Sequence, residues 1–244
     1  LLKYMHSSAK RSFERFLKTY SKNFENNKTI EVLDIGSQLI TENGASIKTM
    51  LNESNIKFNY TGVDLEKGLN VDIVLKDIYS FNDIEVNKYD LVTATSVFEH
   101  IEFFWLTYLE ILKVLKPNGI LYTNTPSNGD FHRYPVDCWR FYPDSSNALI
   151  NWGNKNNFNS ILLECFTSKQ YLECGWSDYV SIILKDKKFI DQFENKMIHN
   201  YKDFINGIDE TKKIYQYSNK TEDHSNWGYR LYYRIRKKLQ KLKK

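Results

Sequence analysis

"TIEVLDIGSQLITENG", residues 29–44, decides how the rest of the chain is read. Ile30, Val32, Leu33 and Ile35 make a short apolar run, the pattern of a strand buried on both faces of a parallel sheet. The run stops at Gly36, where a missing side chain lets the backbone approach a ligand closely. In an open α/β sheet, ligands bind beyond the carboxyl ends of the strands, so the informative residues should follow each strand directly.

Working outward, further strand patterns lie at 58–65 (FNYTGVDL), 71–77 (VDIVLKD), 89–97 (YDLVTATSV) and 119–126 (GILYTNTP). Two more, 159–167 and 178–188, close the series. Between them, residues 102–115 repeat apolar side chains at helical spacing and stop at Lys116-Pro117-Asn118-Gly119. Residues 7–20 form an amphipathic leading helix with Phe13, Phe16, Leu17 and Tyr20 on one face. Strands alternating with helices predict a doubly wound, mostly parallel sheet of seven strands. One domain over residues 1–188 is expected, with a polar, helical or loosely packed extension over 189–244.

The whole chain has 244 residues, 41% of them hydrophobic, enough for a sizeable core. Cys138, Cys165 and Cys174 form no C-x-x-C pair, which argues for a reducing compartment and against a disulfide framework. No apolar run is long enough to span a membrane and no secretory leader pattern precedes residue 30, so a cytoplasmic location is expected. Residues 229–244 hold eight Lys or Arg and no acid; removing them from the formal +4 leaves −4 on the body. Leu231, Tyr232, Ile235, Leu239 and Leu242 would line one face of a basic terminal helix, suited to the inner face of a membrane or to being a solvated end; nucleic acid is not the expected partner.

The strand ends carry the chemistry. Asp34, Gly36 and Ser37 sit at the first turn. Asp64, followed by Leu65, ends the second strand, placed to accept the two hydroxyls of a ribose. Asp77 and Ile78 follow the third, an acceptor for an exocyclic amine beside a packing surface for a purine. The plainer alternative for each acid is a cap on the next helix. Glu99 and His100 open the turn after the fourth strand, where a helix-start charge and a structural histidine are the plain reading.

The ordered series VLDIGS, YTGVDL, KDIYSF, YDLVTATSVFEHI and VLKPNGILYTNTPS resembles the class I S-adenosylmethionine-dependent methyltransferases over residues 30–127. MHSSAKRSFERFL, GSQLITENGASIKTML, GVDLEKGLNVDIV and HRYPVDCWRFYPD resemble a bacterial subgroup linked to sugar and surface-polysaccharide modification. The resemblance implies a Rossmann-like methyltransferase domain and S-adenosylmethionine as cofactor. Asp34, Gly36 and Ser37 would face its methionine part, Asp64 and Leu65 the ribose, Asp77 and Ile78 the adenine, and Ser96 the transferring methyl. The sequence departs from the pattern at Gln38, where a second glycine is usual; Asn43-Gly44 would supply the tight turn. That absence also argues against a nicotinamide enzyme, whose pyrophosphate needs the glycine fingerprint.

The segment after the fifth strand, FHRYPVDCWRFYPD at 131–144, is placed to wall the acceptor pocket, within a loop over 127–145. Arg133 and Arg140 offer forked donors for phosphate or carboxylate, and Trp139 and Phe141 offer rings to a sugar face. An internal network of Arg133, Asp137 and Arg140, holding the loop down with Trp139 in the core, is the alternative. His132 is the first candidate for a general base toward a hydroxyl acceptor, His100 the second and Asp137 the third. No metal-ligand spacing such as H-x-x-x-H is present, so no metal is expected.

The expected function is O-methylation of a sugar hydroxyl or phosphate-type substituent of a surface-glycan precursor. A protein or RNA methyltransferase is the nearest alternative, but the fourth strand ends TATSVFEH and not in an Asn-Pro-Pro-Tyr type motif. A sugar-nucleotide oxidoreductase or epimerase would need a Tyr-x-x-x-Lys pair beside its cofactor, and the one such spacing, Tyr233 to Lys237, lies in the tail. A fold-retaining binding module without activity is a further alternative.

Overall fold

A computed structural model describes residues 5–24, 29–39, 44–170 and 175–219, together with 231 and 235. The apolar runs become β1 (Ile30–Ile35), β2 (Phe58–Asp64), β3 (Ile73–Val74), β4 (Tyr89–Thr95) and β5 (Leu115–Pro126), which pair parallel to one another. Then β6 (Ile161–Ser168), β7 (Asp178–Leu184), β8 (Phe204–Asp209) and β9 (Ile214–Tyr215) join by antiparallel pairing. The sheet has nine strands in the order β3-β2-β1-β4-β5-β7-β6-β8-β9, not the seven expected.

Side chains of β1 alternate in destination, as a period of two requires. Ile30 and Val32 join a core with α1 (Ser7–Phe24) and α2 (Ile47–Asn52), while Leu33 and Ile35 join one with α3 (Phe104–Val114) and α4 (Asp144–Lys155). The leading helix behaves as its spacing predicts, with Phe13, Phe16 and Tyr20 fully buried and the first two rings against Tyr122 of β5. Neither α2 nor α4 was assigned from the sequence. A capping box starts α2, Ser46 Oγ accepting from the Thr49 amide and Thr49 Oγ1 from the Ser46 amide.

Three expectations need correction. The third strand shrinks to two residues. The Pro-Gly terminator does end α3, but Lys116–Gly119 are absorbed into β5 as an irregularity: Tyr89 pairs with Leu115 and Leu91 with Ile120. Only glycine fits there, because a Cβ on Gly119 would stand 2.6 Å from the Tyr89 carbonyl oxygen. Residues 189–219 are not helical overall: besides α5 (Met197–Asn200) they supply β8 and β9 to the same sheet. Glu164 of β6 ties them in, its buried carboxylate accepting from Tyr20 Oη at 2.7 Å and from the Met197 and Ile198 amides at 2.7 and 2.9 Å.

Among the described residues no helix is long and apolar enough to cross a membrane. The basic tail lies outside the described residues save for Leu231 and Ile235, both exposed, and so do Cys174 and Asn43.

Candidate active site

Strand order reverses between β1 and β4, and the crevice at their carboxyl ends is where an α/β sheet binds its ligand. Gly36 turns the chain there with φ +73, and a Cβ on it would stand 2.5 Å from Val97 Cγ2. The Gly36 and Ser37 amides both donate to the Val63 carbonyl. Ser37 Oγ donates to the Asn70 carbonyl, and Leu39 bridges Leu69, so the turns after β1 and β2 are laced together. Ser96 ends β4 exposed and at φ 55, a left-handed conformation uncommon for a residue with a side chain and frequent at functional sites.

The first acids differ in their freedom. Asp34 is buried within β1, accepting from Tyr60 Oη and Thr93 Oγ1, each at 2.7 Å. Burial pushes its carboxyl up to about 6 against the pull of those two hydroxyls. It anchors the strand ends from within, on the α1 side of the sheet, and does not stand at the turn itself. Asp64 is half-exposed and accepts from the Gln38 and Leu65 amides at 3.1 and 2.7 Å, which aims the carboxylate along the crevice. The exposed Asp77 caps its own turn through the Tyr79 amide, as the plainer reading had it, and spends Oδ1 in doing so. Leu65 stands 49% exposed beside Asp64, Ile78 is half-buried, and the Tyr79 and Phe103 rings meet at 5.7 Å. A carboxylate between apolar faces suits a nucleoside: hydroxyls for the acid, a flat base for the side chains. These residues fit adenosylmethionine.

Beyond β4 and β5 the site is polar and buried. Both Glu99 carboxylate oxygens are buried and, among the described residues, have no hydrogen-bond partner, and neither do Thr95 Oγ1 and Thr125 Oγ1 at the ends of β4 and β5. Glu99 and His100 belong to a single 3-10 turn, Phe98–His100, that starts where Val97 packs over Gly36. Val97 and Glu99 are two residues apart, so their Cα atoms lie within about 7 Å. Burial pushes Glu99 up to about 8.

The 127–143 segment folds back over this turn. Its ends meet where the Phe141 amide donates to the Pro126 carbonyl, and the Cys138 amide donates to the Glu99 carbonyl. Asp137 forms a two-point pair with Arg140 at 2.6 and 2.9 Å and accepts from the His132 amide at 2.7 Å. Burial would raise its carboxyl, but the Arg140 hydrogen bonds and the His132 amide outweigh that and hold it at about 2. Asp137 is therefore corrected from candidate base to clamp, and Arg140, spent on it, from substrate ligand to the other half of the clamp. Phe141 is also corrected: it is 3% exposed, packed on Phe104 and Tyr179, and offers no face to a sugar. Trp139 keeps part of its ring exposed while Nε1 donates to the Ile101 carbonyl. Arg133 is exposed and makes no ion pair among the described residues, so the expected three-residue network is a pair.

His100 and His132 meet, with ring centroids 5.0 Å apart at 90°. His100 Nδ1 lies 2.6 Å from the Val136 carbonyl oxygen and His132 Nδ1 3.1 Å from that of Asp130. A carbonyl only accepts, so each Nδ1 carries a proton, and in the neutral ring the lone pair then lies on Nε2. Trp176 and His6 were missed from the sequence. Trp176 packs against both His132 and His6 at 5.2 and 5.3 Å, above Gly129, where a Cβ would stand 1.9 Å from the indole. The MHSS stretch before α1 was a signal that could have placed His6 here.

Residues 42–123 match the family described as "Methyltransferase domain", beginning after the Gly36 turn. A search of curated proteins finds no match. Among solved structures, the chain is similar to the [4+2]-cyclase SpnF, at 12% identity and TM-score 0.50, over 72% of this chain and 82% of that one. It is also similar to the CurJ carbon methyltransferase, at 15% and 0.53, over 73% and 55%, so the chain spans about half of that protein's length. A sarcosine dimethylglycine methyltransferase of Galdieria sulphuraria, so described provisionally, aligns at 10% and 0.52, over 73% and 86%. At such identities these likenesses speak for the fold alone. With the domain match over residues 42–123 and the Rossmann-like fold, the chain is a methyltransferase, and its cofactor is S-adenosylmethionine.

Proposed function

We propose that the enzyme transfers the methyl group to an oxygen of a polar small molecule, a sugar hydroxyl or phosphate-type group of a surface-glycan precursor. The observation that carries this reading is the pair of imidazoles, His100 and His132, 5.0 Å apart by ring centroid, each with Nδ1 at a backbone carbonyl, on the turn after β4 and the loop after β5. S-adenosylmethionine supplies an electrophilic sulfonium methyl: as the acceptor oxygen bonds to that carbon the C–S bond breaks, its electron pair remaining on sulfur. A hydroxyl must shed its proton as this happens, and a positioned base contributes about 10²–10⁴-fold. His132 on the loop and His100 beneath it take that proton, the Asp137–Arg140 clamp fixing the His132 backbone. Arg133 supplies an uncommitted cation for a phosphate on the acceptor. Incubation with adenosylmethionine and a panel of nucleotide sugars and sugar phosphates, read as a mass gain of one methyl group, tests the reading. His100→Ala and His132→Ala should each slow transfer about 10²-fold or more while adenosylmethionine binding persists; methylation of a peptide or RNA in place of the sugar panel would refute it.

A further inference from the structure

Glu99 poses a problem that the methyl-transfer reading leaves open. Its carboxylate is 1% exposed, among the described residues neither oxygen has a hydrogen-bond partner that meets the usual geometry, and His100 Nε2 lies at 3.8 Å, too far for a hydrogen bond. A buried carboxyl of this kind either keeps its proton, as burial makes Glu99 do when nothing meets it, or meets a cation. Arg140 acts on it from a distance, no Lys or Arg forms an ion pair with it among the described residues, and two imidazoles lie close by. One ligating atom each from Glu99, His100 and His132 lies within 4.8 Å of the others.

We propose that Glu99, His100 and His132 form a binding site for one divalent transition-metal ion of the zinc type. Two imidazoles and a carboxylate are the ligand set that borderline ions such as Zn²⁺ take, with a further position open to a non-protein oxygen. The second layer is already built. A histidine that ligates through Nε2 normally donates Nδ1–H to a carbonyl or carboxylate, and both do: His100 to Val136, and His132 to Asp130, with Asp137 Oδ2 at 3.4 Å. Ligands about 2.1 Å from a tetrahedral ion stand about 3.4 Å from one another, so the site has to draw in by about 1 Å. His132, on the loop, is the ligand able to do so. The inference rests on the oxygen-methylation reading and changes how it works: with an ion held on both Nε2 atoms the imidazoles no longer take the proton. The ion would instead polarise the acceptor oxygen and ease its proton's release to solvent, but the site is measurable without any acceptor.

The test uses the untagged full chain, freed of metal with a chelator, titrated with ZnCl₂ by calorimetry and with CoCl₂ by visible absorption. One ion per chain is expected. His100→Ala, His132→Ala and Glu99→Gln should each weaken binding more than tenfold, the scale at which even outer-shell changes register. His199→Ala, at an exposed histidine outside the site, should leave it unchanged. Calorimetry with adenosylmethionine on the same variants reports that the fold is intact. No binding of either ion to the unaltered chain, or equal binding by the His100→Ala/His132→Ala double variant, overturns the site. Metal bound without methylation of any sugar would keep the site and refute the acceptor reading alone.

Discussion

Asp34 is a carboxylic acid held by two hydroxyls in the middle of a sheet, and its cost depends on pH. Its carboxyl is raised from 3.8 to about 6, so between those values the folded state holds a proton that the unfolded state has released. Stability from this group is full below about 4 and is lost as pH rises through about 6, to about 3 kcal/mol. Asp34→Asn should remove that slope: urea unfolding at pH 4 and pH 7 should differ less in the variant than in the parent by up to this amount. At Gly36 the demand is steric. Gly36→Ala must hold φ +73 and displace Val97, costing about 1–2 kcal/mol in backbone strain alone, so both its melting temperature and its affinity for adenosylmethionine should fall. A variant that melts and binds like the parent would remove Gly36 from the crevice.

At the scale of an element, the Asp137–Arg140 pair is the charged tie among the hydrogen bonds that hold the 127–143 segment over the Phe98–His100 turn. Arg140→Ala leaves Asp137 without its two-point partner, and the His132 backbone loses its anchor. Limited proteolysis should then cut between 128 and 140 faster than in the parent, while the adenosylmethionine affinity stays the same and the KM for the acceptor rises. Two elements show where sequence reading succeeds and stops. The ends of β1, β2 and β4 were legible because buried parallel strands announce themselves as apolar runs, and ligand-facing residues must follow them. In the 131–144 segment, the pairing of Asp137 with Arg140 was visible as one of two readings, since i and i+3 are within reach in a turn. The burial of Phe141 was not, because an aromatic in a polar stretch does not reveal which way it points. Nor was the meeting of Glu99 and His100 with His132, which arises from a loop closing on a neighbouring strand end and leaves no spacing in the chain.

Over the whole molecule, the polar composition of 189–219 concealed two strands, because β9 is only two residues long and Asn206-Gly207 interrupts the apolar run of β8. Their contribution runs through Glu164, whose buried carboxylate takes two of its three hydrogen bonds from the Met197 and Ile198 amides. A chain ended at residue 188 would keep only Tyr20 as partner and would also lose the buried Phe193, Met197, Ile198 and Phe204. Removing the partners of a buried charge alone costs about 3–5 kcal/mol. Such a chain should therefore express as aggregate, with no cooperative thermal transition. A soluble fragment with the parent's circular dichroism would contradict this.

The sheet's outermost members, β3 and β9, are two residues each. Open amides and carbonyls on a long flat border invite another copy to hydrogen-bond alongside, the route to fibrils and swapped assemblies. These two strands themselves offer barely one repeat of that pattern. A copy docking on β3 or β9 would therefore find too short a ladder to hold it.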